Sequence, residues 1–543
     1  MISEGPLSQL PPRAIFLQFM ILVDFVRILG SPAIIEDKHL SRSLQDACQR
    51  LTDAVNMIIG WQLEQPTWLK RTLVVKQDTG SMKSMDLSPT VDFSTTPGSL
   101  LASESNSIKG STTSLAGNSA PRYDVQLNSN SQAPSTVGGF EKKSSSNLRS
   151  SLKDTAKRDP SFSTQALFLL SENLAELVDS ISKSEDKERL LPSITNVWNN
   201  TLPFLKAKHT RNARFFLAGS QFLASMSTFN YMRSVWRKSV VDLIGDTGFF
   251  KMDQHALKQW LTIVDHLTTQ DKSSFKEILS ATTAANTGIS GIMSNKESDY
   301  DHRASVLKRL AFVILSAERD QFQTIMPEIQ ERLADNLRLN QIPVVHTQVF
   351  LCFRVLLLRS KPSNLMSIWP SMISELMSVL MQMEHDLSAT QSEDGRCASD
   401  QTMQLYLSTC KLLETLCTLP RGHLPQYQMC SWGFVSAITP NARDLFTPHA
   451  NKIHELLLQK YDPLTDSERS MSSASLTGIK TLTEFRELRP FFHALANQHR
   501  NLPGDNSDLL RDSHVLCGNL SLKAAIAHLE HGLYVDFAEH WQL

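Results

Sequence analysis

The chain has 543 residues, 41% hydrophobic and 20% charged, with 54 lysines and arginines against 55 aspartates and glutamates, for a formal net charge of −1. That length exceeds what one hydrophobic core serves, and the near-neutral balance excludes a global pull toward nucleic acid, so any basic surface must be local. Its seven cysteines (Cys48, Cys352, Cys397, Cys410, Cys417, Cys430 and Cys517) include no CxxC pair and fall mostly at apolar helix positions, which argues against disulfides and for a reducing, cytosolic compartment.

Residues 14–29 are the most apolar N-terminal run, yet Asp24 and Arg27 interrupt it and it falls short of the roughly 20 apolar residues that span a bilayer. It has neither a basic region ahead of it nor a small-residue cleavage site, so it does not read as a signal peptide. It also lacks the polar outer face of a capping repeat, which leads us to expect a chain cut from something longer. Leu40, Leu44, Cys48, Leu51, Val55 and Ile58 then form one stripe at helical spacing, completing a helical hairpin over residues 1–75.

Residues 76–160 turn to serine, threonine, asparagine and glycine, with Phe93, Tyr123 and Phe140 as the aromatics, too little apolar area to offset the entropy of ordering. A disordered loop is expected there, carrying Ser88-Pro89 and Thr96-Pro97 as candidate sites for proline-directed phosphorylation. The sequence leaves open whether the first hairpin stacks on the later helices with this loop as an excursion.

Helical patterning resumes over 161–300. Thr164 is the expected cap ahead of Leu167, Leu170, Leu174, Leu177 and Ile181, and Pro203 is the expected end of the helix carrying Ile194, Val197, Trp198 and Leu202. An apolar run over 211–244 ends at a turn containing Gly245 and Gly248, and Asp253 is placed to cap the helix bearing Leu257, Trp260, Val264 and Leu267.

Over 301–390 one unit is written twice. Val306, Leu307, Leu310, Val313, Ile314 and Leu315 match Val349, Phe350, Phe353, Leu356, Leu357 and Leu358 at a constant offset of 43 residues, and Pro327 matches Pro370 at the same offset. A period of about 40–47 residues with two helices per unit is the mark of HEAT or armadillo repeats, each of which buries its apolar face only against a neighbour. The expected fold is an all-α, HEAT/armadillo-like helical solenoid, with the shared proline at a bend or start of each second helix. Within 401–543, Leu405, Tyr406, Leu412 and Leu413 resume the pattern as a weaker third unit at an offset of 56 residues, and further helices lead to an acidic, aromatic tail over 534–541.

No phosphate-binding glycine loop, HExxH pair, GxSxG elbow or EF-hand spacing is present, so no catalytic, cofactor or metal constellation is expected. His449 and His454 point roughly 140° apart on a helix, which argues against a metal pair. Leu405, Leu412 and Leu419 make a short heptad run, a candidate for self-association as a homodimer, although Pro420 ends it early and solenoid core is the better reading. Lys206, Lys208, Arg211 and Arg214 precede Phe215 and Phe216, and Arg233, Arg237 and Lys238 surround Trp236. These basic residues with interleaved aromatics are the candidate contact for an anionic phospholipid membrane, the alternative being an ordinary solvated helix face. They are not sustained over an extended face, so nucleic acid is not an expected partner.

The run 310–315 (LAFVIL), the segment 326–333 (MPEIQERL), Trp369-Pro370 leading into Glu375-Leu376-Met377, and Tyr406 to Leu413 together resemble the C-terminal region of the Dopey family. The resemblance implies a non-enzymatic scaffold or adaptor in endosome-to-Golgi membrane traffic, peripheral on the cytosolic face of Golgi, trans-Golgi network and endosome membranes. It further implies partnership with a Mon-two-like large scaffold and, through it, with an aminophospholipid flippase, together with a link to acidic phospholipids. A membrane-independent adaptor switched by phosphorylation of the serine-rich loop is the alternative. Family chains are several times longer, so this chain is expected to be a fragment or a short isoform.

Overall fold

The computed structural model describes residues 7, 10–78, 160–182, 187–206, 213–270, 275–276, 279, 296–338, 342–389, 399–435, 446–462, 464–465, 474–497 and 521–539, with side chains in the third helix as far as residue 60. The serine-rich stretch with its two candidate phosphorylation sites lies outside the described residues. Two compact units are present: residues 1–63 together with 160–543, and residues 64–159. All that follows concerns the first.

Every regular element among the described residues is helical: α1 (Pro12–Leu29), α2 (Ser31–Glu36), α3 (Lys38–Asp78), α4 (Pro160–Ile181), α5 (Lys187–Lys206), α6 (Ala213–Ser227), α7 (Arg233–Gly245), α8 (Gln254–Gln270), α9 (Lys296–Ser316), α10 (Met326–Leu337), α11 (Pro343–Arg359), α12 (Trp369–Ala389), α13 (Asp400–Thr418), α14 (Pro425–Cys430), α15 (His449–Lys460), α16 (Arg489–Ala496) and α17 (Leu522–Phe537). They build a solenoid of two rows. In the inner row α1, α4, α6, α8, α9, α11 and α13 each pack on the next; in the outer row α5 lies beside α7, and α12 lies beside α15. α3 joins the outer row through Asn200, whose amide donates to the Asn56 side chain (3.0 Å), and reaches α4 through Ser163 Oγ donating to the Ile58 carbonyl (2.7 Å). The first hairpin therefore stacks on the helices that follow the serine-rich stretch, settling a question the sequence leaves open.

Apolar phase explains the rows. Leu167, Leu170, Leu174, Leu177 and Ile181 are buried along α4, and Leu257, Trp260, Val264 and Leu267 along α8. In the twin repeat α9 with α10 and α11 with α12 carry the matched positions, and Val306, Leu310, Val349 and Phe353 are all buried. Pro327 and Pro370 each occupy the first turn of their second helix, so the shared proline starts that helix without bending it. Asp320, in the left-handed region at φ 64°, ties the two units: its carboxylate accepts from the Lys361 N–H and from Asn364 Nδ2, both at 2.8 Å. The third unit follows, α13 stacking on α11 and α15 on α12.

Two expected boundaries shift. α4 starts at Pro160, so Thr164 lies inside the helix and not at its cap. α5 runs through Pro203 to Lys206, because a proline so near the helix end forfeits one hydrogen bond and its ring lies on the exposed side. Asp253 does cap α8, accepting from the Ala256 N–H at 2.7 Å. No helix among the described residues is long and apolar enough to cross a membrane.

Candidate functional site

The basic cluster lies across three neighbouring helices. Lys206 ends α5, Arg214 opens α6, and Arg233, Arg237 and Lys238 lie on α7; Lys208 and Arg211 fall outside the described residues. Lys206, Arg214, Arg237 and Lys238 are exposed and Arg233 is half-buried. α5 packs on both α6 and α7. Lys206 shares a cavity with Asp242, Leu243 and Asp246 at the C-terminal end of α7, whereas Arg233 opens that helix, roughly 15 Å away along the axis. Positive charge is thus distributed along the outer-row helices and the start of α6 rather than focused at a point. The interleaved aromatics belong to the core: Phe215 and Phe216 are buried, Phe215 stacks on Phe204 at 4.7 Å, and Trp236 is fully enclosed. What the surface offers is cationic without an aromatic wedge.

A second cluster forms where α17 lies against the inner row, touching α8 and α11. Phe537 inserts between Phe250 and Phe312, at 5.7 and 5.3 Å between ring centres. Leu529 and Leu533 of α17 are buried as well, and beside these apolar contacts stand ionic ones. Asp536 takes Arg354 of α11 at 2.5 Å and also pairs with Lys411 of α13; Glu539 meets Lys308 of α9 at 3.3 Å; Glu530 meets Arg359 at 3.1 Å. Lys480 donates to the Ala538 carbonyl. Burial alone would push the Asp536 carboxyl up, but Lys411 and Arg354 outweigh it and hold the group below the usual carboxylate range. Burial pulls the Lys411 and Lys308 amines down, opposed by Asp536 and Glu539 respectively. Glu414, behind Lys411, is pushed up by burial against the opposing hydrogen bonds of the Leu476 N–H (2.9 Å) and Ser475 Oγ (2.8 Å).

Sequence reasoning missed this cluster. Its one visible trace is a charge at a buried phase, as with Arg354 inside the apolar run of α11 and Lys411 inside α13. Arg309 is a related case: its guanidinium donates to the carbonyls of Ile244 (2.7 Å), Gly245 (3.1 Å) and Asp246 (3.0 Å), satisfying the end of α7.

Leu405, Leu412 and Leu419 are all buried in the solenoid core, which leaves none of them on the surface as a dimer seam. His449 pairs with Glu384, while His454 meets the His493 ring at 5.2 Å; the two histidines of the sequence reading do not converge. Cys48, Cys352, Cys410, Cys417 and Cys430 are free thiols, the first four buried. On α1 the outward positions Leu17, Ile21, Phe25 and Ile28 are exposed, Ile28 by 85%, as the missing polar face implied.

The family model described as DOP1 C-terminal matches residues 139–499. A protein named pad-1 from Caenorhabditis briggsae is 50% identical over all of this chain and 23% of its own length. A DOP1 homolog from Drosophila melanogaster is 31% identical over 94% of this chain and 19% of its own length, and DOP1B from Mus musculus is 29% identical over 99% and 22%. This chain thus spans about a fifth to a quarter of the relatives it matches. No solved structure matches. With the family model covering most of the chain and the pad-1 and fly relatives aligned along nearly all of it, the chain belongs to the DOP1 (Dopey) family, in its C-terminal region.

Proposed function

We propose that this chain is a segment of a non-enzymatic scaffold in endosome-to-Golgi membrane traffic. It works peripherally on the cytosolic face of Golgi and endosome membranes, in complex with a Mon-two-like large scaffold and, through that partner, near an aminophospholipid flippase. The observation that carries the reading is an exposed cationic surface, Lys206, Arg237 and Lys238 on the outer-row helices α5 and α7 with Arg214 at the start of the adjoining α6. Solenoids supply long surfaces for partners, and each cation near an anionic leaflet contributes about 1 kcal/mol. With the local aromatics buried, the contact is electrostatic and shallow, suited to reversible recruitment.

Co-sedimentation of the purified chain with phosphatidylcholine vesicles, with and without phosphatidylinositol 4-phosphate, tests the membrane part. Salt-sensitive binding to the anionic vesicles is expected, and changing Lys206, Arg214, Arg237 and Lys238 together to Glu should abolish it while helicity is retained. Wild-type chain that ignores the vesicles would move the function of this region to protein partners alone. Capture of a Mon-two-like scaffold by the immobilised chain tests the partner separately.

A further inference from the structure

We propose that the cavity between the inner row and α17 is a binding site for a phosphate-sized dianion, the phosphate being free, on a soluble ester or on a lipid headgroup. The site is distinct from the outer-row surface and does not depend on the membrane reading. The cavity encloses about 170 Å³ and is lined by Lys308, Arg354, Lys411, Lys480 and Asp536 among others. That is several times the roughly 30 Å³ that one water occupies in the liquid.

Charge balance argues for an anion there. Four cations from four different stretches of the chain converge on the cavity, where Asp536 of α17 and Glu539 just beyond that helix answer them. Glu414 lies behind Lys411, outside the cavity lining, and its carboxylate is taken up by the Leu476 N–H and Ser475 Oγ. Within the lining itself four cations face the single carboxylate of Asp536, and Arg354 and Lys411 keep only 3% and 2% of their side-chain surface in solvent. Cations that share so few carboxylates at such depth are costly to hold, and an anion in the cavity would offset them. Donors also stand idle at the same wall. Arg354 Nε and Thr347 Oγ1 are buried without a hydrogen-bond partner, and both residues line the cavity. A guanidinium with an unused N–H beside two ammonium groups is the donor set that tetrahedral oxyanions take. Because α17 forms one wall, a bound dianion would also hold that helix against the solenoid.

The test is a titration of the whole chain with inorganic phosphate, followed by thermal melting and by calorimetry, with acetate and chloride at matched ionic strength as controls. A saturable rise in Tm with phosphate alone is expected. Gln404→Glu, which places a carboxylate in the partly exposed cavity wall without removing an ion pair, should weaken phosphate binding about tenfold or more, as should Lys308→Gln with Lys480→Gln. The Glu-substituted outer-row variant should bind phosphate like wild type, so failure of the membrane reading leaves this test intact. Absence of a saturable effect, an equal effect of acetate, or unchanged affinity in a folded Gln404→Glu chain would overturn the site. In the Glu-substituted outer-row variant, phosphatidylcholine vesicles with and without phosphatidic acid separate the sources: residual sedimentation that is lost on adding Gln404→Glu would assign the phosphate to a headgroup, and no sedimentation beside a positive titration would assign it to a soluble ligand.

Discussion

The twin repeat and the helix laid against it, α17, are held by different chemistries. In the twin repeat α9 and α11 meet through Leu310, Phe312, Val349 and Phe353, apolar side chains supplied at a fixed sequence spacing. α17 buries Leu529, Leu533 and Phe537 against the solenoid, Phe537 on Phe312 of α9, but adds to them a ring of ion pairs centred on Asp536 that reaches α11 and α13. The first kind of contact is strong, non-directional and tolerant of exact position. The second is directional, costly to leave half-made and sensitive to charge, which makes α17 more open to release than the helices of the inner row it lies against.

That contrast can be broken at either end. Phe353→Ala in the core of the repeat should cost about 3–5 kcal/mol in denaturant unfolding and lower the whole transition, since the cavity lies between stacked units. Asp536→Asn should cost about 3 kcal/mol or more by stranding Arg354 and Lys411, while replacing Asp536, Arg354 and Lys411 together by apolar residues should recover most of the loss. A triple variant as unstable as the single one would mean that the ion pairs, and not the stranded charges, carry the contact. Arg309→Met should cost about 2 kcal/mol through three lost carbonyl contacts at the end of α7.

A smaller effect is expected with pH. Burial, with His493 beside it, pulls the His454 ring from 6.5 down to about 4. The unfolded chain therefore takes up the proton first, and the stability this group supports is complete above pH 6.5 and lost as pH falls toward about 4. Because the ring is partly open to solvent, the effect should be no more than about 1 kcal/mol, and His454→Gln should flatten the melting profile in that window. Thiol chemistry gives the mildest readout. Burial pushes Cys48 and Cys352 up to about 12, so iodoacetamide should spare them in the native chain and, among the cysteines of the described residues, label half-buried Cys430 first.

The same contrast explains what could be read in advance. The rows were legible because apolar phase repeats at a constant offset and because Pro327 and Pro370 mark corresponding helix starts. The α17 contact was not, because Asp536 finds its partners 182 and 125 residues away in sequence, and a pairing of that range leaves no periodic mark. Arg354 was visible as a break in an apolar run, but nothing local named its partner. The basic cluster was half legible: the cations of the outer row are at the surface, whereas Phe215, Phe216 and Trp236 obey the helical phase and turn inward. Likewise the heptad leucines Leu405, Leu412 and Leu419 satisfy the solenoid before any second chain.

Hydrogen exchange of the whole chain, wild type beside Asp536→Asn, tests the division most directly. We expect the substitution to strip amide protection from residues 522–537 while α9 and α11 keep theirs. Protection of α17 that survives the substitution, or is lost only together with that of α9 and α11, would contradict the view that its ionic seam holds this helix apart from the apolar rows.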